Sequence, residues 1–297
     1  MNRSGILKKE RGDKMLKNII LIFTELYIEE VTANLHLSAF AREMEKQSWS
    51  VFVNRTGDAE RLCKEYCLQE TIFISDDGTA LEFLKEKGGY TVACYHEGAE
   101  GLMGSTQYAI EGIDGIEAEY IERVYQRYRG IPWHITETKR LTVREMGPDD
   151  LDELYELYAD ARVTKYTEAL FTDREKERNY IEDYIEHIYK YFGFGTWLIH
   201  RKEDRKLIGR AGFNYRPGFD EAELGFVIGY PFWRNGYAYE VCTHLLQLGK
   251  TVFEFEKIQA LADKENAASI GLLEKLGFQY VSDVMVDGKD YCRYLYE

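Results

Sequence analysis

Proline, cysteine, long apolar runs and surplus positive charge are all scarce in this chain, and each scarcity removes a class of protein. With four Pro in 297 residues there is no proline-rich linker or low-complexity tract, and a folded chain is expected. Five Cys is an odd number at low density, unlike a disulfide framework and suited to free thiols in a reducing compartment. Cys63 and Cys67 stand four apart with no second Cys or His pair at ligand spacing, so no metal site is expected. The longest early apolar run, Ile19 to Phe23, falls far short of the about 20 residues that cross a membrane as a helix. The basic start (Lys8, Lys9, Arg11, Lys14) lacks a following signal-length apolar stretch. A net charge of −14, from 38 Lys plus Arg against 52 Asp plus Glu, argues against phosphate neutralisation. The expectation is a cytoplasmic protein without nucleic-acid or membrane partners.

What is present is a 45% apolar chain long enough for two cores. Residues 1–15 are polar and aperiodic and are expected to be disordered. Short β-rich runs (IILIF, SVFVN, TIFIS, YTVACY) then alternate with helical stretches at Tyr27 to Lys46, Asp58 to Cys67 and Thr79 to Lys87. That alternation implies βαβ units, hence a Rossmann-like parallel α/β domain over residues 16–135. A helical stretch from Glu117 to Tyr128 ends at Gly130 and Pro132, which sets the boundary near Ile135. Over residues 136–297 the pattern is one of strands first joined by hairpins and later by helices, an α+β domain with a mixed sheet. The chain as a whole reads as α/β.

The segment PFWRNGYAYE follows the strand-like AELGFVIG and precedes a helix expected to begin near Tyr239. Gly236 and Ala238 are small enough for backbone N–H groups to approach a ligand, and the helix points its positive end at the same place. Strand, small-residue turn and helix N-terminus together suit a pyrophosphate, although a Gly before a helix also serves as a plain turn.

WRNGYA resembles the pyrophosphate loop of the GCN5-related N-acetyltransferases (GNAT), whose pattern is Gln or Arg, two residues, Gly, one residue, then Gly or Ala. Trp233 in the first position is a variant of the branch resembling ribosomal-protein N-terminal acetyltransferases. ETKRLTVREMGPDDLDELYEL, KLIGRAGF, AELGFVIG and NAASIGLLEKLGF follow in that family's order, so the resemblance covers residues 137–297. It implies a splayed sheet that takes acetyl-CoA as cosubstrate, without a metal. Val227 and Ile228 would line the pantetheine, with a strand bulge near Val227 supplying an N–H to the thioester oxygen. Trp233, Arg234, Asn235, Gly236, Tyr237 and Ala238 would hold the phosphates, and Asn266 and Ser269 would stand near the pantetheine arm. Asn266 is equally a helix N-cap before Ala267.

Direct transfer needs the acceptor amine deprotonated and the departing thiolate protonated. Glu223 is the candidate base, or else a strand residue paired with Arg210 or Arg216. Leu273 occupies the position of the Tyr that serves many relatives as acid, leaving Ser269, Tyr280 or Tyr291. Glu168, Asp173, Tyr166 and Phe171 could form an acidic, aromatic mouth for an amine-bearing small molecule or a protein N-terminus, or a solvated helix face. The alternative function is a non-catalytic acyl-CoA sensor or interaction protein with the same fold.

Over residues 18–110, IILIFTELY and TIFISDDGTALEFLKEKGGY resemble a degenerate haloacid dehalogenase-like (HAD) domain. That family's aspartate nucleophile and its second carboxyl correspond to Thr24 and Leu26, so phosphatase chemistry is not expected. Asp76 and Asp77 are then read as caps of the following helix, and His36, His187 and His244 as structural or exposed.

Overall fold

The computed structural model describes residues 15–97, Ala99, Leu102 and residues 104–297, which fall into two units meeting between Ile131 and Pro132. The disorder expected for residues 1–15 concerns, Met15 apart, positions outside the described residues.

The first unit is built on five parallel strands, β1 (Asn18–Ile22), β2 (Ser50–Asn54), β3 (Thr71–Ser75), β4 (Tyr90–Tyr95) and β5 (Tyr108–Glu111), in the order β2-β1-β3-β4-β5. Its helices are α1 (Glu25–Ala33), α2 (His36–Glu45), α3 (Ala59–Glu65), α4 (Gly78–Glu86) and α5 (Ala118–Tyr128). The unbroken apolar run of β1 follows from burial on both faces. Ile19 and Leu21 pack with Tyr27, Phe40 and Ile121, whereas Ile20 and Ile22 pack with Leu62, Ala80 and Leu84.

Two expectations are corrected here. The helix expected from Tyr27 to Lys46 is two helices, because Leu35 takes φ 61° and turns the chain. Asp77 does cap α4, accepting from Thr79 N at 2.8 Å, but Asp76 does not. The Asp76 carboxylate accepts from Thr24 N at 3.0 Å and Thr24 Oγ1 at 2.9 Å, and stands 3.0 Å from His96 Nε2.

The second unit carries β6 (His134–Glu137), β7 (Leu141–Arg144), β8 (Thr196–Arg201), β9 (Leu207–Tyr215), β10 (Ala222–Ile228), β11 (Ile258–Asp263), β12 (Gln279–Val286) and β13 (Lys289–Tyr296). They form one mixed sheet, β12-β13-β11-β10-β9-β8-β7-β6, in which β10 and β11 are the parallel pair. Between β7 and β8 come α6 (Leu151–Tyr158), α7 (Arg174–Tyr184), a π-helical turn (Ile185–Tyr189) and α8 (Lys190–Phe192). After β10 come α9 (Tyr237–Thr251) and α10 (Ala267–Leu276). Strand alternation assigns the helices to faces. Tyr184 of α7 hydrogen-bonds Asn214 of β9, while a Cβ on Gly249 of α9 would touch Phe213, the next residue round.

One polar residue inside this unit sets a pH dependence. Burial, with Arg144 adding, pushes the His200 imidazole on β8 down to about 4. Arg144, Asp150 and Glu153 face it, and its Nδ1 has no partner. Below its ordinary value of 6.5 the unfolded chain binds the proton and the folded chain does not, so stability falls as pH drops from about 6.5 towards 4. Denaturant titrations should show roughly 3 kcal/mol more loss over that window in the wild type than in His200→Asn. Equal loss in the two would contradict this assignment.

Candidate active site

Strands β10 and β11 pair at Ala222 with Ile258 and Glu223 with Gln259, then separate, although β10 continues to Ile228 and β11 to Asp263. A wedge opens between them. Gly229 N donates to Ile208 O at 2.9 Å and Phe213 N to Gly195 O at 3.1 Å, which fixes the alternation of both ladders. The N–H groups of Gly225 and Val227 therefore point into β9, and those of Phe226 and Ile228 point into the wedge. The bulge expected at Val227 is absent: β9 and β10 pair without a register shift from Ala222 to Ile228. The N–H groups that face the wedge are thus those of Phe226 and Ile228 rather than that of Val227.

Beyond β10, Tyr230–Phe232 form a 3-10 turn, and the Trp233 indole N–H donates to Ile228 O at 2.6 Å, tying the loop to the strand end. Arg234 at φ 59° and Gly236 at φ 78° swing the chain into α9, which starts at Tyr237 rather than Tyr239. The first backbone donor with a partner is Glu240 N, to Gly236 O at 3.0 Å. Among the described residues no acceptor meets the N–H groups of Arg234, Asn235, Gly236, Tyr237, Ala238 or Tyr239. A row of unsatisfied donors at a helix N-terminus, where the dipole adds positive potential, is an anion cradle. Arg234, Asn235 and Gly236 are exposed, whereas the Tyr237 ring is buried.

Arg140, which sequence reasoning missed, completes the cradle. Its Nε donates to Glu240 Oε2 at 2.6 Å, its Nη1 donates to Asn235 O at 3.0 Å, and its guanidinium lies 4.4 Å from the centre of the Tyr237 ring. Burial pushes the Glu240 carboxyl up, but hydrogen bonds from Thr138 and Arg140 outweigh it and hold that group below its usual range. Local sequence carries no sign of this contact, since it joins residues a hundred positions apart.

Asn266 caps α10, accepting from Ser269 N at 3.1 Å, so the cap reading holds for its side-chain oxygen. The Ser269 hydroxyl has no protein partner among the described residues, and Leu273 is buried in the core. Tyr280 is exposed and donates to Asp283 at 3.0 Å, and Tyr291 lies on β13 opposite Asp263. Glu223 is paired with Arg216, not Arg210, through both oxygens at 2.6 and 2.8 Å. Of the supposed mouth, Asp173 is spent capping α7 at Glu175 N, Glu168 is exposed, and Tyr166 donates to Glu265 O beside Asn266. Phe171 is exposed and meets the Tyr180 ring edge to face at 6.1 Å.

His244 Nε2 is 2.7 Å from Thr136 Oγ1, His187 lies in the π-helical turn, and His36 lines a cavity of about 460 Å³ in the first unit with Tyr27, His96 and Asp114. Among the described residues no group of three His, Cys, Asp or Glu side chains is placed to hold a metal, and no helix is long and apolar enough to cross a membrane.

Comparison with known proteins finds a family model, described as an acetyltransferase (GNAT) domain, matching residues 140–279. The chain is 35% identical over 144 residues to an uncharacterized N-acetyltransferase, p20, of Bacillus licheniformis, covering 48% of this chain and 80% of that one. It is 29% identical over 146 residues to the N-acetyltransferase YoaA of Bacillus subtilis, covering 49% and 82%. Among solved structures, a ribosomal-protein-S5-alanine acetyltransferase from Vibrio fischeri aligns with a TM-score of 0.47 at 15% identity, covering 54% of this chain and 94% of that one.

Proposed function

Because residues 140–279 make this chain a member of the GNAT acetyltransferase family, we propose that it moves an acetyl group from acetyl-CoA to the primary amine of a small molecule or a protein N-terminus. The observation that carries this reading is the row of unsatisfied N–H groups from Arg234 to Tyr239, with the Arg140 guanidinium beside it. Those donors suit the pyrophosphate of the cosubstrate, and the wedge between β10 and β11 suits its pantetheine. Phe226 N–H and Ile228 N–H are aimed where the thioester oxygen gains charge as the amine attacks.

In this reading the amine nitrogen bonds to the carbonyl carbon, the C–S bond breaks, and one proton leaves the nitrogen while another reaches the thiolate. Glu223 takes the first, directly or through water, once Arg216 releases one of its oxygens. Ser269, with an uncommitted hydroxyl on the first turn of α10, is the candidate donor of the second. The five free thiols fit a reducing, cytoplasmic setting.

The test is thiol release from acetyl-CoA by the full chain across a panel of amino acids, polyamines and short peptides with free N-termini. At least one amine should raise the rate well above hydrolysis in water. Release unchanged by every amine would favour the sensor reading and remove the catalytic one.

A further inference from the structure

The sheet face beneath α6 and α7 holds a cation, Arg210, that no carboxylate pairs with among the described residues. Arg210 lies on β9, and the ladder puts Gly212 and Asn214 of β9 and Glu223, Gly225 and Val227 of β10 on the same face. Arg210 Nε is buried without a partner, and its Nη2 meets Met146 Sδ at 3.8 Å. The carboxylates near this face are spent elsewhere, the buried Glu145 accepting from Trp133 N at 3.0 Å. Glu223 is held by Arg216, Asp150 by Arg144, and Glu177 accepts from Phe171 N at 2.9 Å. Besides Met146, four phenols lie close enough to act on its charge, Tyr158 of α6, Tyr180 and Tyr184 of α7, and Tyr189 of the π-helical turn.

Two of those phenols are occupied. Tyr184 Oη donates to Asn214 Oδ1 at 2.6 Å and accepts from Thr196 N, and Tyr189 Oη donates to Thr196 O at 2.5 Å. Tyr180 is exposed and Tyr158 half-buried, and neither hydroxyl bonds another described residue. A guanidinium whose Nε is buried without a counter-charge is costly, and the exposed Tyr180 beside it is open to a ligand. Space is also present. A Cβ at Gly225, opposite Gly212 on this face, would meet nothing within 4 Å. The next residue, Phe226, sends its N–H into the wedge where the acetyl group is expected.

We propose that the acceptor carries a carboxylate as well as its amine, an amino-acid-like molecule that stands over Gly225 with its carboxylate on Arg210, Tyr158 and Tyr180 and its amine towards Phe226. The proposal rests on the acetyl-transfer reading and narrows its acceptor class. A planar guanidinium matches a carboxylate in two parallel hydrogen bonds. A peptide N-terminus, which continues into an amide where this carboxylate would lie, leaves Arg210 unmatched.

The experiment gives the full chain acetyl-CoA and matched acceptors differing in one group, amino acids and β-alanine against their carboxamides, with rates compared at equal free amine. Losing one partner of a buried charge pair typically costs enough that kcat/KM should favour the carboxylates by at least about 30-fold. Arg210→Gln should bring that ratio near one while leaving the thermal shift on adding acetyl-CoA unchanged, and Arg210→Lys should restore part of it. Arg210→Met should melt no lower than the wild type, whereas a guanidinium kept for packing alone would melt lower when replaced. Equal rates for the matched pairs, turnover confined to uncharged amines, or no turnover of any carboxylate member overturns the proposal. The wild-type comparison stands even where a variant misfolds. Failure of acetyl-CoA to bind at all is the separate result that removes the acetyl-transfer reading itself.

Discussion

Gly236→Val should abolish measurable binding of acetyl-CoA while leaving the fold in place. Gly236 sits at φ 78° and ψ 7°, the left-handed region, as the residue before α9. A β-branched side chain there costs about 1–3 kcal/mol of backbone strain, and the chain relieves it by rotating the peptide units that flank it. Those units carry the N–H groups of Gly236 and Tyr237, in the middle of the cradle. The added Cβ would also stand 3.6 Å from Arg140 Nη2, and the second methyl presses that guanidinium off Asn235 O. Losing aligned donors and displacing a cation should weaken binding at least about 100-fold, or close to 3 kcal/mol. Gly236→Ala, with less bulk, should fall between. Titration calorimetry giving a Gly236→Val affinity within twofold of the wild type would remove the loop from the binding site.

The second large effect is expected at Glu223. If it accepts the amine proton, Glu223→Gln should lower kcat by about 100-fold or more, with little change in acetyl-CoA affinity. The bidentate bridge to Arg216 makes a control necessary, because the same substitution also breaks an ion pair whose carboxylate is largely buried. Arg216→Ala removes the bridge and keeps the carboxylate. As a base, Glu223 works in that variant and turnover persists; as a mere tether for Arg216, it gives the two variants equal losses. Wild-type turnover in Glu223→Gln would move the proton acceptor elsewhere.

The parts of this molecule legible from sequence are those with local causes. The run IILIF is apolar at every position because β1 is covered on both faces, and that is visible without coordinates. WRNGYA is legible because the turn needs Gly236 and the donors are backbone groups of neighbouring residues. The break at Leu35 was not, since NLHL contains neither Gly nor Pro to mark a residue of positive φ. Nor was the amide that faces the wedge: the parity of β10 depends on which edge β9 occupies, a fact of the assembled sheet.

Charge pairing was the least legible. Arg210 and Arg216 were equal partners for Glu223 on paper, and the sheet gives the carboxylate to Arg216 and leaves Arg210 alone. Arg140 reaches the loop from the start of β7 through Glu240, a contact without any local pattern. The loop proposed to take the pyrophosphate could therefore be read in outline from sequence, while Arg140 beside it, and the residue proposed to select the acceptor, required the fold.

The most direct test of the central claim is the melting temperature of the purified chain in buffer, with free CoA and with acetyl-CoA. A ligand at about 100 times its dissociation constant stabilises the folded protein by about 2.7 kcal/mol. That corresponds to a rise of several degrees, by both CoA species and not by acetate. A melting temperature unmoved by either would contradict the assignment of the Arg234 to Tyr239 amides and the β10–β11 wedge as the cosubstrate site.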